Sequence, residues 1–294
     1  MKILKQIFLG MMLIASPVAT ANDQEVLIEQ AGDNVIIEAN QEGYDNVIDI
    51  DLGIVSSDSS NNIFRALQDG HDNNILFSLD GQSNEIAILQ EGNNFYIGYS
   101  SAWGQGHDQG GDIDGDSNTL QIWQKCSYNS CNESKVEFHL EGNSNDVMIG
   151  QGWFLDKNSS NGNTSWSYDY NEPGGNLVRL DIHGDNNDFK AGQKQDSSSI
   201  NHNMYVNIFG DGNEVYAGQL QNGSKTLNLN IYNDNNDVWI KQRKNGAHTA
   251  TINLYGSYGT DLYLNQSHNS VGQTYTLTQT CATLGGCSIS VTQD

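Results

Sequence analysis

Seven histidines, four cysteines and 36 acidic side chains are the groups of this 294-residue chain that could do chemistry. The histidines (His71, His107, His139, His183, His202, His248 and His268) are scattered, most of them in or beside turn-forming stretches. None belongs to an HExxH zinc-protease pattern, and the chain has no GxSxG nucleophile elbow. The stretch DIDGDSN alternates Asp112, Asp114, Asp116 and Asn118 as oxygen ligands alternate in calcium loops. Trp123 stands where the closing bidentate Glu of such a loop belongs. Acidic residues recur as positions of a repeat rather than as one local pair. The expectation is a chain that is not an enzyme, with no catalytic residue, no cofactor and no metal site.

The cysteines form two close pairs: Cys126 and Cys131 flank SYNS, and Cys281 and Cys287 flank ATLGG. In an oxidising compartment both pairs are expected to be disulfides that staple local turns, each worth about 2 kcal/mol by the loop-entropy relation. The first residues point to that compartment. MKILKQIFLGMMLIASPVATA carries Lys2 and Lys5, an apolar run from Ile7 to Ala15 and an Ala-Thr-Ala end. This reads as a secretory signal over residues 1–21, leaving residues 22–294 as one exported domain. The formal net charge of −23 excludes nucleic acid as a partner, because no basic patch could neutralise phosphates. Cations, sugars and positively charged surfaces remain open.

The elements that must position these groups are short strands. NEIAILQ begins at Asn84, NTLQIWQ at Asn118, NDVMIGQ at Asn145, NDFKAGQ at Asn187, NEVYAGQ at Asn213 and NDVWIKQ at Asn236. Each copy has Asn, two alternating apolar positions and a closing Gln: Gln90, Gln124, Gln151, Gln193, Gln219 and Gln242. TDLYLNQ, from Thr260 to Gln266, is a seventh copy, and partial copies follow Asn46, Asn73 and Asn94. Gly81, Gly115, Gly142, Gly184 and Gly210 each precede the repeat Asn by three residues, the mark of a tight turn with positive φ. A second alternating segment lies upstream of each turn, as in Val178, Leu180 and Ile182. The unit is strand, turn, strand, turn, with spacings of 26, 23 and 24 residues from Asn187 to Thr260. The predicted fold is all-β: a β-solenoid with two strands per rung, a stack of β-arches about nine or ten rungs high. Two insertions, residues 100–111 and 152–175, break the period.

With a period of two, Asn and Gln share the inward face with the apolar residues. Buried amides are tolerable where the next rung supplies an identical partner about 4.8 Å away. The sequence therefore predicts interior Asn and Gln ladders. Outward rows follow as well. Glu85, Thr119, Asp146, Asp188, Glu214, Asp237 and Asp261 form an acidic row, read first as a solvated charged face that keeps the chain soluble, with loosely held cations such as Ca²⁺ as the alternative. Two residues further on, Tyr216, Trp239 and Tyr263 form an aromatic strip suited to sugars or flat surfaces.

This pattern resembles the curlin repeat, the strand–turn–strand unit of bacterial curli fibre subunits. Gly210-Asp211-Gly212-Asn213 through Gln219 matches the second half of that unit. QEGYDN (Gln41 to Asn46) and QDGHDN (Gln68 to Asn73) match its central turn, and the closing SISVTQD is similar. The chain departs from the family unit where Leu79, Ile113, Leu140, Ile182, Ile208 and Ile231 replace the first-strand Gln. The resemblance implies a secreted subunit of an amyloid-type cell-surface fibre acting in adhesion and biofilm matrix. It also implies passage through the periplasm and a dedicated outer-membrane export machinery. Partners would be further copies or related curlin subunits joined through the end rungs. The alternative is a non-polymerising solenoid adhesin, or an accessory protein that nucleates fibres.

Overall fold

Period-two patterning, tight turns and the absence of helical periodicity leave short strands as the only regular element this chain can build. The computed structural model describes residues 24–30, 33–52, 60–98, 111–126, 133–157, 164–168, 175–195 and 200–294. The expected signal segment, Cys131 and most of the first insertion lie outside them. The first strands are β1 (Glu25–Gln30), β2 (Ile36–Tyr44), β3 (Val47–Leu52), β4 (Ile63–His71), β5 (Asn74–Asp80) and β6 (Glu85–Glu91). Next come β7 (Phe95–Ile97), β8 (Gly111–Asp114), β9 (Thr119–Lys125), β10 (Ser134–Glu141), β11 (Asp146–Gln151), β12 (Trp153–Lys157) and β13 (Thr164–Tyr168). They continue with β14 (Leu177–His183), β15 (Asp188–Lys194), β16 (His202–Phe209), β17 (Glu214–Leu220) and β18 (Lys225–Ile231). The last are β19 (Asp237–Arg243), β20 (Thr249–Gly256), β21 (Thr260–Ser267), β22 (Thr274–Cys281) and β23 (Cys287–Gln293).

Two parallel sheets contain all of these except β12 and β13. The first sheet runs β1-β3-β5-β7-β10-β14-β16-β18-β20-β22, with β8 beside β5 and β10. The second runs β2-β4-β6-β9-β11-β15-β17-β19-β21-β23. The chain alternates between the sheets, so each turn of the coil adds one strand to each, and the stack is ten levels high. No helix occurs among the described residues. The expected two-stranded β-solenoid is thus the observed fold.

The core is the space between the sheets. Val178, Leu180 and Ile182 of β14 stack on Met204, Val206 and Ile208 of β16, and these on Leu227, Leu229 and Ile231 of β18, all buried. Phe189 and Ala191 of β15 face them from the second sheet and pair in register with Val215 and Ala217 of β17. Each inward CH₂ removed from water contributes about 0.8 kcal/mol.

The insertions leave this frame intact. The first departs after Gly98 and rejoins at Gly111, inside what would be one strand; β7 and β8 share a level between β5 and β10. Gly111 therefore begins β8 rather than ending the insertion. A Cβ there would meet the Phe138 ring at 2.8 Å and Phe77 at 3.0 Å, so only glycine lets those two rings approach to 5.8 Å between centroids. The second insertion carries the antiparallel hairpin β12–β13. Strand β12 lies against β15 and β17, where the outward Gly192 and Gly218 are buried.

Candidate functional site

The same turn is used on both edges of the stack. At the edge leading into the second sheet, Gly142 (φ +126°) and Ser144 (φ +58°) precede Asn145; Gly184 (φ +146°) and Asn186 (φ +57°) precede Asn187. The amide of each following Asn then points inward. Asn62, Asn84, Asn118, Asn145, Asn187, Asn213 and Asn236 are all buried in one column. The Oδ1 of each accepts the backbone N–H of its successor, ending with Asn236 accepting from Thr260 at 2.8 Å. Nδ2 donates to the carbonyl of the turn glycine one level up: Asn84 to Gly115, Asn118 to Gly142 and Asn145 to Gly184, at 2.8–2.9 Å. The predicted Asn ladder exists: Nδ2 also donates to the Oδ1 of the neighbouring Asn at 2.7–3.3 Å in five steps, and the backbone bonds are added to it.

The Gln ladder is more regular. Gln41, Gln68, Gln90, Gln124, Gln151, Gln193, Gln219, Gln242 and Gln266 each donate Nε2 to the Oε1 of the next, at 2.7–3.0 Å, and the column ends on Gln293. Most spend the second amide hydrogen on a carbonyl of the opposite sheet, as Gln219 does on Asn203 and Gln242 on Thr226. The column thus ties level to level and sheet to sheet.

The partial copies at Asn46 and Asn73 are corrected by the structure. They sit on the opposite edge, beside the Gln column, and lead into the first sheet. Asn46 Oδ1 accepts Asn73 N–H, and Asn73 Oδ1 accepts the N–H of Phe95, so Phe95 and not Asn94 holds the third place. Beyond Phe95 that column changes to Ser134, Asn176, His202, Lys225 and His248, all buried. A further column escaped the sequence reading. Asp116, Asn143, Asp185, Asp211 and Asp234, one residue after the turn position, each accept a backbone N–H from the level before, at 2.6–2.9 Å. Its sequence signal is the Asp or Asn directly after Gly115, Gly142, Gly184 and Gly210, and after Asn233 where that residue replaces the turn glycine.

The cysteine expectation holds at the last level: Cys281 and Cys287 are bonded and close the turn between β22 and β23. Cys126 is buried and disulfide-bonded, and its expected partner Cys131 lies outside the described residues.

On the outer face of the second sheet, Glu85, Thr119, Asp146, Asp188, Glu214, Asp237 and Asp261 are in register as expected. Cationic side chains already serve part of this row: Lys190 lies 2.6 Å from Asp188 and 3.8 Å from Asp146, and Arg65 lies 3.4 Å from Glu85. Desolvation raises the Asp146 carboxyl above the ordinary range despite Lys190. The calcium-like alternation of DIDGDSN does not converge, because Asn118 points into the core while Asp112 faces out. The expected aromatic strip is also corrected. Tyr216 is buried, and its phenol is pushed up by that burial and by Asp188. Trp239 and Tyr263 pack edge to face at 4.9 Å, with Lys241 over Trp239.

The exposed aromatic strip lies instead on the first sheet. His183, Phe209, Tyr232 and Tyr255 stack with centroids 4.8, 5.4 and 4.9 Å apart and planes within 9°. Phe209, Tyr232 and Tyr255 are 37–45% exposed. Beside them an outward amide ladder runs from Asn207 to Asn230 to Asn253 at 2.7 and 3.0 Å. Below both rows the same face turns ionic. Asp80, Asp114, Glu141 and His183 continue the aromatic row, and Asp112, His139 and Asp181 continue the amide row. Desolvation, and next the neighbouring carboxylates, raise Asp114, and the hydrogen bond that Asp181 accepts raises His139. An open trough on the second sheet is lined by Leu67, Leu89 and Trp123, with the Arg65–Glu38 ion pair as its main polar feature.

Comparison with known proteins adds no identification: no family model, curated protein sequence or solved structure matches this chain.

Proposed function

We propose that this chain is an exported structural protein, a curlin-like subunit that adds end to end into an extracellular amyloid-type fibre serving adhesion and matrix. One observation carries the reading: the interior Gln column runs through all ten levels and stops at an edge. At the last level, the inward Tyr275, Leu277, Ile289, Val291 and Gln293 are only half-buried, and β22 and β23 are edge strands of their sheets. Their outer N–H and C=O groups and the Gln293 amide are a template for one more level. The Cys281–Cys287 bond holds that edge in register. The exposed Phe209–Tyr232–Tyr255 strip suits lateral contact with sugars or flat surfaces.

A second reading, a non-polymerising adhesin or nucleator, draws on the Gln-edge column. There His202, Lys225 and His248 replace Asn, so this edge lacks the uniform chemistry of the other. The test is quiescent incubation of the purified chain, followed by thioflavin fluorescence and electron microscopy. Fibres with a 4.7–4.8 Å meridional spacing support the first reading. A persistent β-rich monomer supports the second.

A further inference from the structure

We infer that His139, Asp181 and His183 form a binding site for a divalent transition-metal ion, with Zn²⁺ as its chemical type, on the outer face of the first sheet. His139 projects from β10, and Asp181 and His183, two residues apart on one face, project from the next level, β14. The Asp181 Oδ1 lies 3.0 Å from His139 Nδ1 and 2.9 Å from His183 Nε2. One donor atom from each residue lies within 4.8 Å of the other two. Tetrahedral ligands at zinc–nitrogen and zinc–oxygen bond lengths stand about 3.3 Å apart; the Asp181 oxygen is within a few tenths of an ångström of that spacing from each nitrogen, and the two rings, whose donors lie within 4.8 Å, would close on the ion.

The outer nitrogens make the case specific. His183 Nδ1 lies 2.6 Å from Glu141 Oε2, and His139 Nε2 faces Asp112 Oδ2 at 3.8 Å. With the outer Nδ1 of His183 held by Glu141, its inner Nε2 is turned toward the same Asp181 oxygen that faces His139 Nδ1, so the inner donor atoms gather around one point. The two rings lie 4.9 Å apart between centroids, and one divalent ion between them would serve both nitrogens and the carboxylate. Carboxylates behind ligating imidazoles are the usual outer partners of a bound metal. The His183 ring is further fixed by its stack on Phe209. Two imidazoles and a carboxylate favour zinc, copper or nickel over calcium. The solvent-facing side leaves a fourth position for water or a ligand. His139 and Asp181 are 42 residues apart in sequence, on either side of the second insertion, so the ion would bind the two levels that flank it.

The test is calorimetric titration of the untagged, full-length exported chain with ZnCl₂ at pH 7.5. The expected result is one saturable site with micromolar affinity and a melting temperature that rises with zinc concentration. His139→Ala and His183→Ala should each abolish that site, Glu141→Gln should weaken it ten- to a hundredfold, and His71→Ala should leave it unchanged. Absence of a saturable site, or its persistence in the His139→Ala/His183→Ala double variant, overturns the inference. Should the variants fail to fold, Co²⁺ added to the wild-type chain replaces them. Paramagnetic broadening centred on the His139 and His183 ring protons supports the site, and broadening centred elsewhere overturns it.

Discussion

His202 and Lys225 are neighbours in register at the Gln edge, and both are fully buried. Lys225 is tolerated there because its ammonium donates to the carbonyls of Gln221, Asn222 and Gly223 at 3.4, 2.9 and 2.8 Å. Burial, and next the Lys225 charge, lower the His202 imidazole to about 3. The folded chain therefore holds His202 neutral, while the unfolded chain binds a proton below about pH 6.5. The sign follows from linkage: this contribution is fully present above pH 6.5 and is lost as pH falls toward 3. At pH 5 the loss is about 2 kcal/mol. Urea unfolding at pH 7.5 and pH 5.0 measures it. His202→Gln should remove that share of the pH dependence; an equally steep loss in the variant would show that the histidine is not held neutral.

At the scale of strands and turns, the glycines divide into two kinds. A Cβ on Gly184 (φ +146°) would lie 2.2 Å from the Gly210 carbonyl oxygen, a backbone atom with nowhere to go. Gly184→Ala should cost about 3 kcal/mol, from backbone strain and displacement of the level above. Gly212 (φ +66°) occupies the place that Asn186 and Asn235 hold at φ +57° in other levels, and its Cβ would approach only a side-chain oxygen, of Asn235. Gly212→Asn should change stability by less than about 1 kcal/mol. Chemical denaturation of the two variants side by side checks the contrast, and equal costs would contradict it.

These turns also set what the sequence made legible. Strand parity, the Gln column and the acidic row followed from residue types alone, because a period of two assigns each side chain to a face. The edge on which a turn sits did not follow, because Gly43, Gly70 and Gly92 open the same turn on one edge that Gly81 and Gly115 open on the other. Strand parity places Tyr216 on the outer face and cannot say that β12 crosses that face. The exposed strip had a sequence signal that parity arguments passed over: Phe209, Tyr232 and Tyr255 each directly follow the last inward residue of a first-sheet strand, Ile208, Ile231 and Leu254. The His139–Asp181–His183 group was invisible because a spacing of 42 residues means nothing until the levels are stacked.

At the scale of the whole molecule, ten levels behave as one body to the extent that the same interior bond is repeated without a gap. Each Gln both accepts and donates along the axis, so removing a donor in mid-stack leaves a buried acceptor above it and a buried carbonyl beside it unpaired, each costing about 1–3 kcal/mol. Gln193, Gln219 and Gln242 are consecutive members of the column, and together they also hold the carbonyls of Leu177, His202, Asn203 and Thr226. The most direct measurement is thermal unfolding of the Gln193→Glu/Gln219→Glu/Gln242→Glu chain at pH 7.5, followed by far-ultraviolet circular dichroism. Loss of the β-sheet signal, or a melting temperature lowered by tens of degrees, is the predicted result. A melt superimposable on that of the wild-type chain would contradict the interior carboxamide column.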